Sequence, residues 1–577
     1  MAESLLSPGV LAIENDNSFV SKRPVTVGAA IIGPTVKGPV EVPTIVTTWN
    51  QYQNVFGTAF QSGSATNQQT YTYLTSIAAY NYFANGGESL LVARVVSQSS
   101  AWTFASSSFI PTGSATTGTS PFVLQPLTKG AIMNNSGSET NGALVSGSAD
   151  NVRWQIINAN TSSGTFDLLI RRGDDNSLQP TILEAFTNLT LDPYSPNYIS
   201  KVIGDTIANF VTDQNGNASI QYSGSYANRS NYVTIKQVNF TTPNYLNSNG
   251  VISVSSYSAS IPVNASGTFS GGTSILKDGS LFYNNITNNN IQGLVSSSYD
   301  NMVSLLANTD DYKFNVLLTP GIINSLHTST VTSIVSNTQN RGDNIYVMDL
   351  VPYNTALSTV TSQAQGQNTS YAASYWPWLQ VIEPSTGQLV WVPASTMIGG
   401  VYAYNDAVAE PWFAPAGINR GGLSTVVRAE TKLSQTQRDT LYTAKVNPIA
   451  TFPGTGVVVY GQKTLQTRAS ALDRVNVRRL LIALKSYISQ VALNLVFEQN
   501  TAATRNAFLS QVNPYLTSVQ QRQGLYAFKV VMDDSNNTPD VIDRNELIGN
   551  IYLQPTKTAE FIYLNFNITP TGATFPG

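Results

Sequence analysis

The chain has no cysteine and a single histidine, His327. Without cysteine there can be no disulfide, no thiolate nucleophile and no Cys-ligated metal. With one histidine, a His-rich metal site is excluded and a Ser–His–Asp triad has one possible centre. Charge is also scarce: 11% of the 577 residues are Asp, Glu, Lys or Arg, against roughly a quarter in an average soluble protein. The net charge of −3 sets up no field to attract nucleic acid or anionic membrane. No run is apolar for the roughly 18 residues a membrane helix needs. The opening "MAESLLSPGVLAIEND" lacks the basic region and apolar stretch of a secretory signal, so folding in a cytoplasm is expected.

What is present is 42% hydrophobic residue, enough for several cores, embedded in Ser, Thr, Asn, Gln and Gly. Residues 1–20 read as an arm. "VTVGAAIIG" (Val25–Gly33) and "SLLVARVV" (Ser89–Val96) read as buried strands, and "TSIAAYNYFANGG" (Thr75–Gly87) as a helix closed on glycine. From about residue 97 to 300 short alternating runs are separated by polar turns. No charged residue lies between Lys236 and Lys277, which predicts an all-β insertion. Strand–helix–strand order then returns with "KFNVLLTPG" (Lys313–Gly321) and "NIYVMDL" (Asn344–Leu350). Beyond residue 425 the strongest helix signal is "DRVNVRRLLIALKSYISQVALNLVF". Asp473 is its expected cap, and Val477, Leu481, Leu484, Ile488, Val491 and Leu495 form an apolar face. Arg474, Arg478 and Lys485 form a stripe at its border. A second helix is expected to end before Pro514, followed by strands in "YAFKVVMDD" and "ELIGNIYLQP". The tail alternates again from Glu560 to Ile568, the period of a strand.

Catalytic chemistry is hard to find. "GTGVVVYGQKT" (Gly454–Thr464) resembles a phosphate loop, but Gln462 separates Gly461 from Lys463, and the valines read as a strand. His327 is expected at a helix start in a surface or capping role. "RGD" (Arg341–Asp343) reads as a turn before a buried strand. The aromatic "SYWPWLQV" (Ser374–Val381) could offer a sugar-binding platform, although its place between strand signals points to packing. A large chain without reactive groups, with strand-like ends, reads as structural: not an enzyme, without cofactor or metal.

The motifs carry a resemblance. "SPGV" (Ser7–Val10), "VGAAIIGPTVKGPVEVPTIVTTWNQYQNVFG" (Val27–Gly57), "VPASTMIGGVYAYNDAVAEPWFAPAGINRG" (Val392–Gly421), "NPIATFPGTGVVVYGQKTL", "VNVRRLLIALKSYI", "VFEQN" and "QPTKTAEFIYLNF" follow, in order, a pattern that resembles contractile tail sheath proteins of myovirus-type phages. The resemblance covers residues 1–97 and 300–577. It implies a multi-domain α+β fold: an N-terminal arm (1–20), a discontinuous middle α/β domain (21–97 and 300–424), an outer β-rich insertion (98–299), an inner C-terminal domain (425–557) and a C-terminal arm (558–577). It further implies a virion subunit, assembled in the host cytoplasm, that stacks as hexameric rings around a tail tube and contracts to drive the tube through the host envelope. Its partners would be other copies of itself, the tail tube protein, and baseplate and tail terminator proteins, with no nucleic acid and no membrane anchoring.

In that family the arms add strands to neighbouring subunits. The resemblance thus points to Pro8, Val10, Leu11 and Ile13 in one arm and to Phe561, Ile562, Tyr563, Leu564, Phe566 and Ile568 in the other. Arg474, Arg478, Arg479, Lys485 and Arg505 are the candidates for contact with an acidic tube. A β-rich carbohydrate-binding adhesin and the sheath of a non-phage contractile injection system are the alternative readings.

Overall fold

The computed structural model describes residues 26–62, 69–97, 102–113, 119–130, 139–145, 147–214, 216–272 and 282–563. The first part of the chain supplies strands β1 (Thr26–Gly33), β2 (Thr44–Val46) and β3 (Leu90–Arg94), and helix α1 (Leu74–Ala84). The β-rich insertion then contributes β4 (Val152–Asn160), β5 (Thr165–Arg172), β6 (Ile182–Thr190) and β7 (Ala265–Gly267). The chain returns through β8 (Lys313–Ile323), α2 (Thr328–Arg341), β9 (Ile345–Asp349), β10 (Ala372–Trp376), α3 (Ser395–Val408), β11 (Asn447–Phe452) and β12 (Gly456–Val459). It closes with α4 (Val475–Leu493), α5 (Ala502–Gln521), β13 (Leu525–Val531) and β14 (Asn550–Pro555).

The centre is an eight-stranded sheet in the order β2-β3-β1-β8-β9-β10-β11-β12. Its six inner strands are parallel and each edge strand is antiparallel. Every residue of β3, β9 and β10 is buried, as expected for parallel strands covered on both faces. Strand β1 pairs directly with β8, Ala30 beside Leu317 and Ile31 beside Leu318, so residues far apart in sequence are adjacent in the sheet. Helices α1 and α3 pack on each other and on the sheet. Their close approach depends on Gly400: a Cβ there would lie 2.3 Å from the Asn81 amide nitrogen, which instead donates to the Met397 carbonyl at 2.9 Å.

The insertion has its own core around Trp154, Phe122, Phe166, Leu168 and Ile170, under the antiparallel sheet β6-β5-β4-β7. One buried polar group stands out there. Asp175 accepts from Arg171 at 2.8 and 2.9 Å and lies 3.5 Å from Arg153, and all three side chains are fully buried. The chain rejoins the central core before residue 300, since Ile286, Ile291 and Leu294 already belong to it. At the other end the sheet runs on to Val459, past residue 424, where the sequence reading divides the chain.

A third core joins α4, α5 and the β13–β14 hairpin through Leu480, Leu484, Val491, Phe508, Val512, Leu516 and Leu525. Two local expectations fail here. Helix α5 continues through Pro514 to Gln521, because burial of Val512, Leu516 and Val519 outweighs the cost of about 3 kcal/mol for an interior proline. Asp473 does not cap α4: it sits in a short 3-10 turn and pairs with Arg474 at 2.8 Å, while Arg474 occupies the cap position.

Removing the carboxylate from between two buried arginines leaves uncompensated charge. Asp175→Ala is expected to destabilise the insertion by about 3–5 kcal/mol, measured by chemical denaturation against the parent chain.

Candidate functional site

The candidate cations on the C-terminal helices are mostly committed within the chain. Arg478 stacks on Tyr371, its guanidinium 4.0 Å from the ring centroid, and donates to the Ser370 hydroxyl. Arg479 pairs with Asp406 at 2.5 Å and lies 4.6 Å from the Tyr402 ring. Arg505 donates to Asn500 at 2.9 Å and pairs with Asp534. All three are buried. The expected basic stripe is therefore corrected: periodicity places Arg474, Arg478 and Lys485 on one side of α4, but part of that side faces the central domain. Lys485 is the one of the five that is exposed. It borders a cavity of about 550 Å³ lined also by Lys313, Phe314, Arg341, Arg479 and Ile482.

Arg474 holds the root of the tail. Its Nε and Nη2 donate to the two carboxylate oxygens of Glu560 at 2.7 and 3.0 Å. Tyr442 donates to the same carboxylate at 2.7 Å and Gln462 at 3.1 Å. Burial raises the Glu560 pKa, but these hydrogen bonds outweigh it and hold the carboxyl below its usual value. Gln462, the residue that breaks the phosphate-loop pattern, is thus an amide donor to the tail, and Gly454, at φ 78°, lies in the β11–β12 turn.

The strand expected from Glu560 onward is not formed in its described part. Residues 556–563 pair with no strand, and Phe561, Ile562 and Tyr563 are 68%, 76% and 85% exposed. A strand needs a partner edge, and among the described residues β14 pairs with β13 alone. Leu564, Phe566 and Ile568, like Pro8, Val10, Leu11 and Ile13 of the other arm, lie outside the described residues. The sequence reading missed a second apolar projection. At the tip of the α4–α5 hairpin Phe497 is fully exposed with φ 70°, beside exposed Leu493 and Val496. The signal was the unbroken "LVF" after the helix.

Comparison with known proteins gives two domain matches. Residues 287–465 match the phage tail sheath protein central domain, and residues 467–569 match the phage tail sheath C-terminal domain. Both matches are thus to domains of phage tail sheath proteins. The chain is 41% identical over 233 residues to the tail sheath protein of Vibrio phage KVP40, covering 40% of this chain and 35% of that protein. It is 38% identical over 229 residues to the tail sheath protein of Enterobacteria phage T4, covering 40% of this chain and 35% of that one. The chain thus spans about a third of the length of these relatives. A crystal structure of a sheath tail protein from Listeria innocua shares the fold, with TM-score 0.53 and 10% identity over 92% of this chain and 96% of that one.

Within residues 287–465 the other sequence candidates are held by contacts inside the chain. His327 is buried, not at the surface: Nδ1 accepts from the Ile323 amide at 2.9 Å, and Nε2 lies 3.1 Å from the Thr287 carbonyl. Burial lowers its pKa, so the ring is a neutral strut. Arg341 of the RGD turn pairs with Asp343 at 2.7 Å and stacks 4.4 Å from Phe314. Trp376 and Trp378 are buried in the central core, which removes the sugar platform. Among the described residues no cluster of three or more His, Cys, Asp or Glu could hold a metal.

Asp349, at the end of β9, accepts from the amide and hydroxyl of Ser395 at the start of α3. Burial pushes its pKa up to about 7 against the pull of those bonds, from an ordinary value of 3.8. The folded chain therefore binds the extra proton between those values. The stability this adds is complete below the lower value and is lost as pH rises through 7. Lowering the pH from about 8 to about 6 is expected to stabilise the chain by on the order of 1 kcal/mol through this group. In Asp349→Asn that part of the pH dependence of Tm should disappear.

Proposed function

We propose that this chain is the structural subunit of a contractile phage tail sheath. It polymerises as stacked hexameric rings around a tail tube, and contraction drives the tube through the host envelope. Baseplate and tail terminator proteins bound the polymer, which is assembled in the host cytoplasm and carried on the virion. The work comes from energy stored in the assembled lattice, with no catalytic step in the subunit.

The observation that carries this reading is the pairing of an unsatisfied arm with unsatisfied edges. Phe561, Ile562 and Tyr563 leave the body exposed, while β13 and β14 form a two-stranded sheet whose outer edges have no partner among the described residues. Open edges accept added strands, and a two-stranded sheet gains stability from a third. The C-terminal arm of one subunit and the edge of another are complementary in this sense. Of the five cations considered for tube contact, Lys485 is the one left exposed to make it. A single exposed charge suits a contact that must release.

Truncation after Thr556 tests the reading by electron microscopy of the purified protein. The full chain is expected to form tubes or discs, and the truncated chain to remain a folded monomer. A truncated chain that unfolds would instead mean that the tail closes its own core. Lys485→Glu is expected to weaken co-sedimentation with the tube protein, with the loss shrinking as salt is raised and the charges are screened.

A further inference from the structure

The Glu560 carboxylate is held by three separate elements. Arg474 stands immediately before α4, braced by Asp473 at 2.8 Å. Tyr442 lies on the helix Gln435–Thr443, whose start is fixed by a capping box between Ser434 and Gln437. Gln462 follows β12, is buried, and donates both to Glu560 and, at 2.6 Å, to the Thr558 hydroxyl. Lys463 closes the wall, its Nζ donating to the Tyr442 carbonyl at 2.8 Å and lying 3.9 Å from the Tyr442 ring.

Apart from Thr558, the residues on either side face solvent. Lys557 and Ala559 are exposed, and so are Phe561, Ile562 and Tyr563. Thr556 is still tied to the C-terminal unit, its amide donating to the Gly524 carbonyl at 3.2 Å. Four residues later the chain is fastened to Tyr442 and Gln462, which lie within the central-domain match. The tail root is thus a strap from one domain to the other, and Glu560 is its last fastened residue among those described.

We propose that Glu560 is a positioning residue for assembly: with Arg474, Tyr442 and Gln462 it clamps the root of the C-terminal arm to the central domain and sets the point and direction from which the arm reaches a neighbouring subunit. The inference rests on the arm reading above. A carboxylate shared by a bidentate arginine and two neutral donors is both strong and directional, which a hinge of exposed residues is not. A clamped root also shortens the effective tether, raising the local concentration of the arm at its acceptor edge.

The test uses the full chain, Glu560→Gln, Arg474→Met, the double variant, and a chain ending after Glu560 that keeps the clamp and lacks the arm. Tryptic cleavage after Lys557, read by mass spectrometry, reports the strap. The protein concentration at half-assembly, read by sedimentation, reports the function. Glu560→Gln is expected to speed cleavage after Lys557 and raise the half-assembly concentration by about tenfold or more, in a chain that is still folded at the assay temperature. Arg474→Met should match it, and the double variant should be no worse than either. If either readout is unchanged in Glu560→Gln while the chain ending after Glu560 fails to assemble, the clamp is overturned and the arm stands. If the chain ending after Glu560 assembles like the parent, the arm reading falls and the clamp proposal with it.

Discussion

Helix α4 is shared between two cores, and the relation of the central sheet to the C-terminal unit depends on it. Val475 and Ile482 belong to the central core, whereas Leu480, Leu484 and Val491 belong to the core with α5. Between these sets Arg478 and Arg479 lie against Tyr371 and Tyr402. Planar guanidinium groups stack on aromatic faces while keeping hydrogen-bond donors for Ser370 and Asp406. The helix is therefore held on two sides by apolar packing and at the seam by directional contacts. The adjoining cavity leaves part of that seam unpacked.

Low overall charge gives each ion pair more weight. Arg153 and Arg171 on Asp175, Arg479 on Asp406 and Arg474 on Glu560 all sit at buried or half-buried positions. Such pairs contribute little net stability relative to apolar packing, but breaking one is costly. They penalise wrong arrangements more than they reward the right one. In the subunit proposed above, which meets identical neighbours in one geometry, that specificity has a use that a slightly larger apolar core would not supply.

Where local pattern decides structure, the sequence was legible. The apolar runs at Val25–Gly33, Ser89–Val96 and Asn344–Leu350 became β1, β3 and β9, because a strand buried on both faces must be apolar throughout. The long helix was legible from its period, and so was the α+β class. What failed was whatever depends on the other side of a contact. Periodicity grouped the arginines of α4 but could not say that Tyr371 and Tyr402 cover them. A proline rule that is sound for an isolated helix misplaced the end of α5. Glu560 was read only as the first residue of an alternating run, since its partners Arg474 and Tyr442 lie 86 and 118 positions away.

The tail shows how the two kinds of information combine. Alternation marks Phe561, Ile562 and Tyr563 as strand residues, yet among the described residues they pair with no strand and stay exposed. Burying such a side chain fully gains about 1.5–3 kcal/mol, so leaving three of them in water forgoes several kcal/mol that a partner could recover. The residue just before them is fixed by four hydrogen bonds from the body. Ordering the root in advance removes part of the entropy that a free arm would lose on docking. An apolar segment held at its root and exposed beyond it suits the proposed intermolecular joint, and in that proposal the same fastening would pass load from the joint into the central sheet.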